Sequence, residues 1–187
     1  MKSVSLIKFY QMKTIKLLSV LILMITGACY AQQKTEDRKH ITDLINTYSK
    51  CVIEKDSTVF YGLFNDGPVT WYAALKDRSK EKEFQKSGGK SEVKSYFSGS
   101  YQAFMRSLFR YRSTEDKFDN IQIIEDGTVA SVSMDYSFWA NNKMTNWGCK
   151  YLSLIKRDGK WKITSVIYSI ELSDYFDQPS LKHREKK

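Results

Sequence analysis

Apolar residues recur at helical spacing early in the chain. Ile41, Leu44, Ile45, Tyr48, Cys51 and Val52 form one stripe, with Asp43, Asn46 and Lys50 opposite, which predicts an amphipathic helix that buries this face. Gln32 to Arg38 reads as its polar lead-in. Asp56 or Ser57 caps a short second helix whose Val59, Phe60, Leu63 and Phe64 face inward, and Asn65-Asp-Gly-Pro68 ends it. Val69 to Leu75 reads as a first strand. Lys76 to Gly89 mixes charges of both signs and reads as a solvated loop with at most a helical turn. Val93, Phe97, Tyr101, Phe104 and Leu108 then predict a third helix, with Arg106, Arg110 and Arg112 suiting its C-terminal dipole.

From here the period changes from helical to alternating. Phe118 to Ile124 is a strand, Glu125-Asp126-Gly127 a turn, and Val129 to Trp139 alternates Ala130, Val132, Met134, Tyr136 and Phe138 against mostly Ser and Asp135. Ala140 to Met144 carries turn chemistry, and Trp147 to Lys156 is the next strand. Arg157-Asp158-Gly159-Lys160 is a hairpin turn, and Trp161 to Leu172 closes the meander. Helices followed by an antiparallel sheet make an α+β fold. Ser173 onward, with a basic end, reads as a frayed tail over 173–187.

Composition and charge narrow this picture. The 187 residues, 42% hydrophobic and 14% aromatic, suffice for one domain with a sizeable core. Of the net charge of +9, Lys2, Lys8, Lys13 and Lys16 supply four before residue 32, and the segment from Lys182 to Lys187 supplies another +3. The folded part is nearly neutral, which argues against a nucleic-acid partner. Lys13 and Lys16 ahead of the apolar run Leu17 to Ile25, then the small residues Thr26 to Ala31, form a secretory signal peptide over 1–31, with Met12 as an alternative start. The run is short for a membrane span. Cleavage after Ala31 yields an exported protein, periplasmic or secreted; cleavage before Cys29 with its acylation is the lipoprotein alternative and the only route to a membrane. In an oxidising compartment Cys51 and Cys149 either pair or remain buried free thiols.

Motifs for specific chemistry are sparse. Gly88-Gly89-Lys90-Ser91 lacks the upstream glycine of a phosphate loop, since Phe84 stands there. No cofactor motif and no cluster at metal-ligand spacing is present. The two histidines, His40 early in the first helix and His183 in the tail, are poorly placed for a nucleophile's base.

The element order, with Tyr48, Cys51 to Asp56, Phe60 to Asp66, Val69-Thr-Trp-Tyr72, Gly89 to Val93 and above all Ile155-Lys-Arg-Asp-Gly-Lys-Trp-Lys-Ile163, resembles the nuclear transport factor 2-like superfamily over residues 36–172. That superfamily includes SnoaL-like cyclases, ketosteroid isomerases and exported bacterial proteins of unknown role. The resemblance implies a cone-shaped, cystatin-like curved antiparallel sheet wrapped by three N-terminal helices, with a pocket between sheet and helices. Tyr48, Trp71, Tyr72, Phe97, Tyr101, Tyr136, Tyr151 and Tyr168 are its candidate lining, or simply core. Tyr48 fits the oxyanion-binding tyrosine of the ketosteroid isomerases, but Tyr72 stands where their aspartate base would be, and a phenol is a poor base near neutral pH. Asp135 is the mid-strand carboxylate that could replace it, although its serine neighbours argue for an outward face. The resulting expectation is an exported module that binds a small apolar or aromatic ligand without catalysis. The alternatives are an acid/base enzyme of SnoaL-like type using Tyr48 with Asp135, and an interaction module whose outer sheet face forms a homodimer.

Overall fold

The computed structural model describes residues 35–90 and 92–179, so the expected signal peptide, Cys29 and residues 180–187 lie outside it. Helix α1 (35–54) buries every residue of its predicted stripe, from Ile41 to Val52. Helix α2 (Ser57–Gly62) begins where the Asp56 carboxylate accepts a hydrogen bond from the Val59 amide at 3.0 Å, and it buries Phe60. Val59 points to solvent rather than inward.

Six strands form one sheet in the order β2-β1-β6-β5-β4-β3. These are β1 (Thr70–Leu75), β2 (Tyr96–Ser98), β3 (Thr114–Glu125), β4 (Val129–Ala140), β5 (Lys143–Arg157) and β6 (Lys160–Leu172). The four-strand meander is the expected one, with longer strands. Asn141-Asn142 and Asp158-Gly159 all take positive φ, the turn conformation whose twist matches that of the flanking strands. β1 runs parallel to β6, the last strand of the meander and far from β1 in sequence. At Gly148 β5 and β6 approach so closely that a Cβ would stand 2.1 Å from the Ser169 carbonyl oxygen, so this position excludes any side chain.

Two segments differ from expectation. Residues 77–86, read as loop, form helix α3 (Asp77–Lys86). It is held by polar contacts rather than an apolar stripe: Ser79 Oγ and Arg78 Nε both donate to the fully buried Glu171 of β6, the latter at 2.5 Å. The predicted third helix shortens to α4 (Tyr101–Leu108), capped by Ser100, whose hydroxyl accepts from the Ala103 amide. Residues 96–98 instead pair with β1. The small residues Ser98-Gly99-Ser100 break the helix in the middle of the apparent stripe.

Within the polar lead-in, Thr35, Glu36 and Arg38 are exposed, but one acid turns inward. Asp37 is fully buried, taking Lys156 Nζ at 2.6 Å and the Trp161 indole at 3.1 Å, which ties the start of α1 to the β5–β6 hairpin. Beyond β6 the chain stays attached. The Phe176 carbonyl accepts from the Trp147 indole at 2.8 Å, and the Tyr175 hydroxyl meets Glu83 of α3. The expected frayed tail is therefore packed over residues 173–176.

Helices α1, α2 and α4 cover the inner face of the sheet. Tyr48, Phe60, Phe64, Trp71 and Met105 meet the inward residues Val132, Leu152, Leu154 and Val166 there. Among the described residues, no helix is long and apolar enough to cross a membrane.

Candidate functional site

Strand parity decides which side chains share the inner face. On β5, Lys150 has the parity of Leu152 and Leu154, so it projects into the apolar interior. Its Cα partners are Met134 on β4 and Tyr168 on β6. On β3, Asp116 stands opposite Phe138 and faces the same way. The two side chains, 3% and 1% exposed, meet in an ion pair between Lys150 Nζ and Asp116 Oδ2.

Rings surround this pair. Lys150 Nζ lies 4.7 Å from the centroid of Tyr136, 5.0 Å from Phe118, 5.1 Å from Tyr48 and 5.5 Å from Tyr168. Cation–π attraction from four faces replaces part of the hydration the ammonium has lost. Hydrogen bonding is incomplete, however. The Tyr48 hydroxyl and Asp116 Oδ1 are both buried without a hydrogen-bond partner. Such orphaned buried atoms are uncommon in native proteins and costly to keep. The Tyr136 hydroxyl, by contrast, donates to the Ser169 carbonyl at 2.9 Å.

Burial sets the protonation tendencies here. It raises Asp116 above the usual carboxylate range although Lys150 opposes it, and lowers Lys150 below the usual lysine range although Asp116 opposes it. Burial, followed by the Asp116 charge, pushes the Tyr48 phenol well up. The interior thus holds an acid and an amine that burial drives toward their neutral forms, beside a phenol that stays protonated.

The residues expected to line a pocket divide by face. Tyr48, Trp71, Tyr101, Tyr136 and Tyr168 are inside, with Tyr101 stacked on Phe64 at 4.1 Å. Tyr72 and Tyr151 lie on the outer face, 45% and 51% exposed, because β1 and β5 present Trp71 and Lys150 inward instead. Phe97 belongs to β2 and is likewise exposed. These three are corrected from lining to surface.

Asp135 also lies outside, in a shallow cleft of about 480 Å³, where its carboxylate accepts from Asn120 Nδ2 at 2.7 Å and meets Cys149 Sγ at 3.6 Å. Tyr48 and Asp135 stand on opposite faces of the sheet, and the carboxylate that does share the interior with Tyr48 is Asp116. Sequence reading missed both Asp116 and Lys150. The available signal was the alternation Lys150, Leu152, Leu154 against Tyr151 and Ser153. Cys51 sits in the core and Cys149 on the outer face, so no disulfide joins them. His40 is exposed beside Glu36. Among the described residues, no group of three or more His, Cys, Asp or Glu is placed to hold a metal ion.

No protein-family model and no curated protein matches the sequence. Solved structures do match the fold. A nuclear transport factor 2-like protein with a cystatin-like fold from Novosphingobium aromaticivorans superposes at TM-score 0.57 and 11% identity over 87% of this chain and 96% of its own. LinA superposes at 0.57 and 12%, over 80% and 99%. A protein of N. aromaticivorans DSM 12444 provisionally assigned as a scytalone dehydratase gives 0.56 and 15%, over 79% and 93%. At such identities the likeness establishes the architecture, that of the nuclear transport factor 2-like, cystatin-like fold.

Proposed function

We propose that this chain, built on the nuclear transport factor 2-like fold, is an exported module that binds a small, largely aromatic or apolar ligand between sheet and helices. The ligand carries one polar group, and that group meets Tyr48, Asp116 and Lys150. The observation that carries this reading is the pair of orphaned atoms, Tyr48 Oη and Asp116 Oδ1, beside an ammonium in an aromatic shell. Both unmet atoms belong to side chains that flank Lys150 Nζ, and one incoming polar group there would satisfy them together. Phe104, Phe118, Phe138 and Tyr168 are only partly buried and already pack closely, so the ligand's ring enters by displacing one of them. The acid/base alternative moves to the same spot, with Asp116 in the role first considered for Asp135.

Native mass spectrometry of the protein, purified unreduced from its own exported fraction, tests this. The expected result is a retained molecule of a few hundred daltons, lost from the double variant D116L/K150M. An empty wild-type protein, or retention unaffected by the double variant, counts against the reading.

One observation favours a second reading, self-association through the sheet. On the outer face Tyr72, Ile167 and Tyr151 are Cα partners in an exposed row across β1, β6 and β5, bordered by Thr70, Ser133 and Ser153. The row itself carries no charge in a chain that is 27% charged, with Asp135 at its edge beside Ser133, which suits a second copy of the same face better than a charged partner. Sedimentation is expected to show a dimer that I167K converts to monomer; a monomeric wild type at micromolar concentration ends this reading.

A further inference from the structure

We infer that the ligand is a small aromatic or apolar aldehyde or ketone, and that the Lys150 amine condenses with its carbonyl carbon to give an iminium held opposite Asp116. This rests on the ligand-binding reading above and gives it a chemistry.

The geometry supplies each part. An amine nucleophile needs an apolar enclosure that makes its charged form costly, and Lys150 has four rings around Nζ and only 3% exposure. It needs an acid within reach to move protons, and Asp116 is in direct contact with Nζ. The carbonyl oxygen needs a donor during addition, and the Tyr48 hydroxyl is buried without a partner on a ring whose centroid lies 5.1 Å from the same amine. A lysine that served only as a counter-ion would need neither the orphaned phenol nor the orphaned second carboxylate oxygen. Burial also lowers Lys150 and raises Asp116, which eases transfer of the ammonium proton to the carboxylate.

Asp116 takes one proton from the ammonium, leaving a neutral amine. The nitrogen lone pair adds to the carbonyl carbon and the C=O pair moves to oxygen, which takes the Asp116 proton while Tyr48 donates a hydrogen bond to it. The nitrogen returns a proton to Asp116, giving a neutral carbinolamine. Asp116 then protonates the hydroxyl, water leaves, and the nitrogen lone pair closes the C=N bond. The sum is an ammonium and a carbonyl compound going to an iminium and water, with Asp116 again a carboxylate facing a cation. No redox partner is needed.

The test treats the folded full-length protein near neutral pH with benzaldehyde and sodium cyanoborohydride. Hydride addition to the iminium carbon fixes the adduct as a benzylamine. Surface lysines are almost wholly protonated at this pH and condense slowly. The expected result is one benzyl group per chain, mapped by peptide mass spectrometry to Lys150, at least tenfold faster than at any exposed lysine. D116L/K150M, with its fold checked by circular dichroism, is expected to lose this fast adduct.

Benzyl alcohol, which keeps the ring and lacks the carbonyl, separates the two levels of the claim. If it shifts the NMR signals of Tyr48, Tyr136 and Tyr168 while benzaldehyde leaves Lys150 unmodified, the condensation is refuted and binding stands. If neither probe acts, both fail. Labelling confined to surface lysines likewise overturns the inference.

Discussion

Replacing Lys150 by Met is expected to lower stability by about 3–5 kcal/mol, because it leaves the Asp116 carboxylate buried without its cation. At about 2–4 °C per kcal/mol for a chain of this size, the melting temperature falls by roughly 10 °C. The double variant D116L/K150M is expected to behave in the opposite sense, from neutral to about 4 kcal/mol more stable than wild type, since well-packed apolar side chains escape the desolvation cost of both charges. Methionine suits the four rings that now face the ammonium.

The pH dependence has a definite sign. Lys150 is depressed in the folded state, so its share of stability is full above its unfolded pKa and lost as pH falls through the folded value. Asp116 is raised, so its share is full below its unfolded pKa and lost as pH rises through the folded value. Both losses are in force near neutrality, and both vanish in the double variant. Thermal unfolding of the two variants measures this. A double variant no more stable than K150M would mean that the pair is not desolvated as described.

Phe60→Ala is expected to cost about 3–5 kcal/mol by a different mechanism, the cavity left by a ring with no solvent exposure. Phe60 lies edge-on to Tyr48 at 4.9 Å and packs against Phe64 at 5.2 Å and Phe104 at 6.0 Å. Its removal therefore opens a dry void next to the Tyr48 ring. Such voids accept benzene, so millimolar benzene should return part of the lost stability to F60A while leaving K150M unaffected. Denaturant unfolding with and without benzene checks both halves. A loss under about 1 kcal/mol would show that the helices settle onto the sheet without this ring, contrary to the packing seen.

Much of the architecture was legible because local and tertiary demands coincide there. The α1 stripe from Ile41 to Val52, the alternation of β4 and the Asp158-Gly159 turn each encode in a few residues what the fold then uses. The misread segments lack that agreement. Helix α3 is held by Glu171, 92 residues away from Ser79, and no periodicity within 77–86 records that contact. Val93, Phe97 and Tyr101 imitate helical spacing, while Ser98-Gly99-Ser100 marks the break and the cap.

The candidate site was hidden for a related reason. Aromatic residues attract attention as pocket lining, yet Tyr72 and Tyr151 have outward parity. The residue that turns inward on β5 is Lys150, which composition alone places on a surface. Asp116 lies near the start of β3, ahead of the apolar run at Phe118 that signalled the strand. Tyr48 was found from its place on the α1 stripe. Its partner could be identified only once the sheet brought β3 and β5 to either side of β4.

The proposed ligand site lies on the inner face of the sheet. Ring-labelled tyrosine NMR during a titration with benzyl alcohol tests this, because tyrosines stand on both faces of the sheet and report at once. The account predicts saturable shifts at Tyr48, Tyr136 and Tyr168 with Tyr72 and Tyr151 unmoved. Shifts at Tyr72 and Tyr151 with a silent interior would contradict it and place binding on the outer sheet.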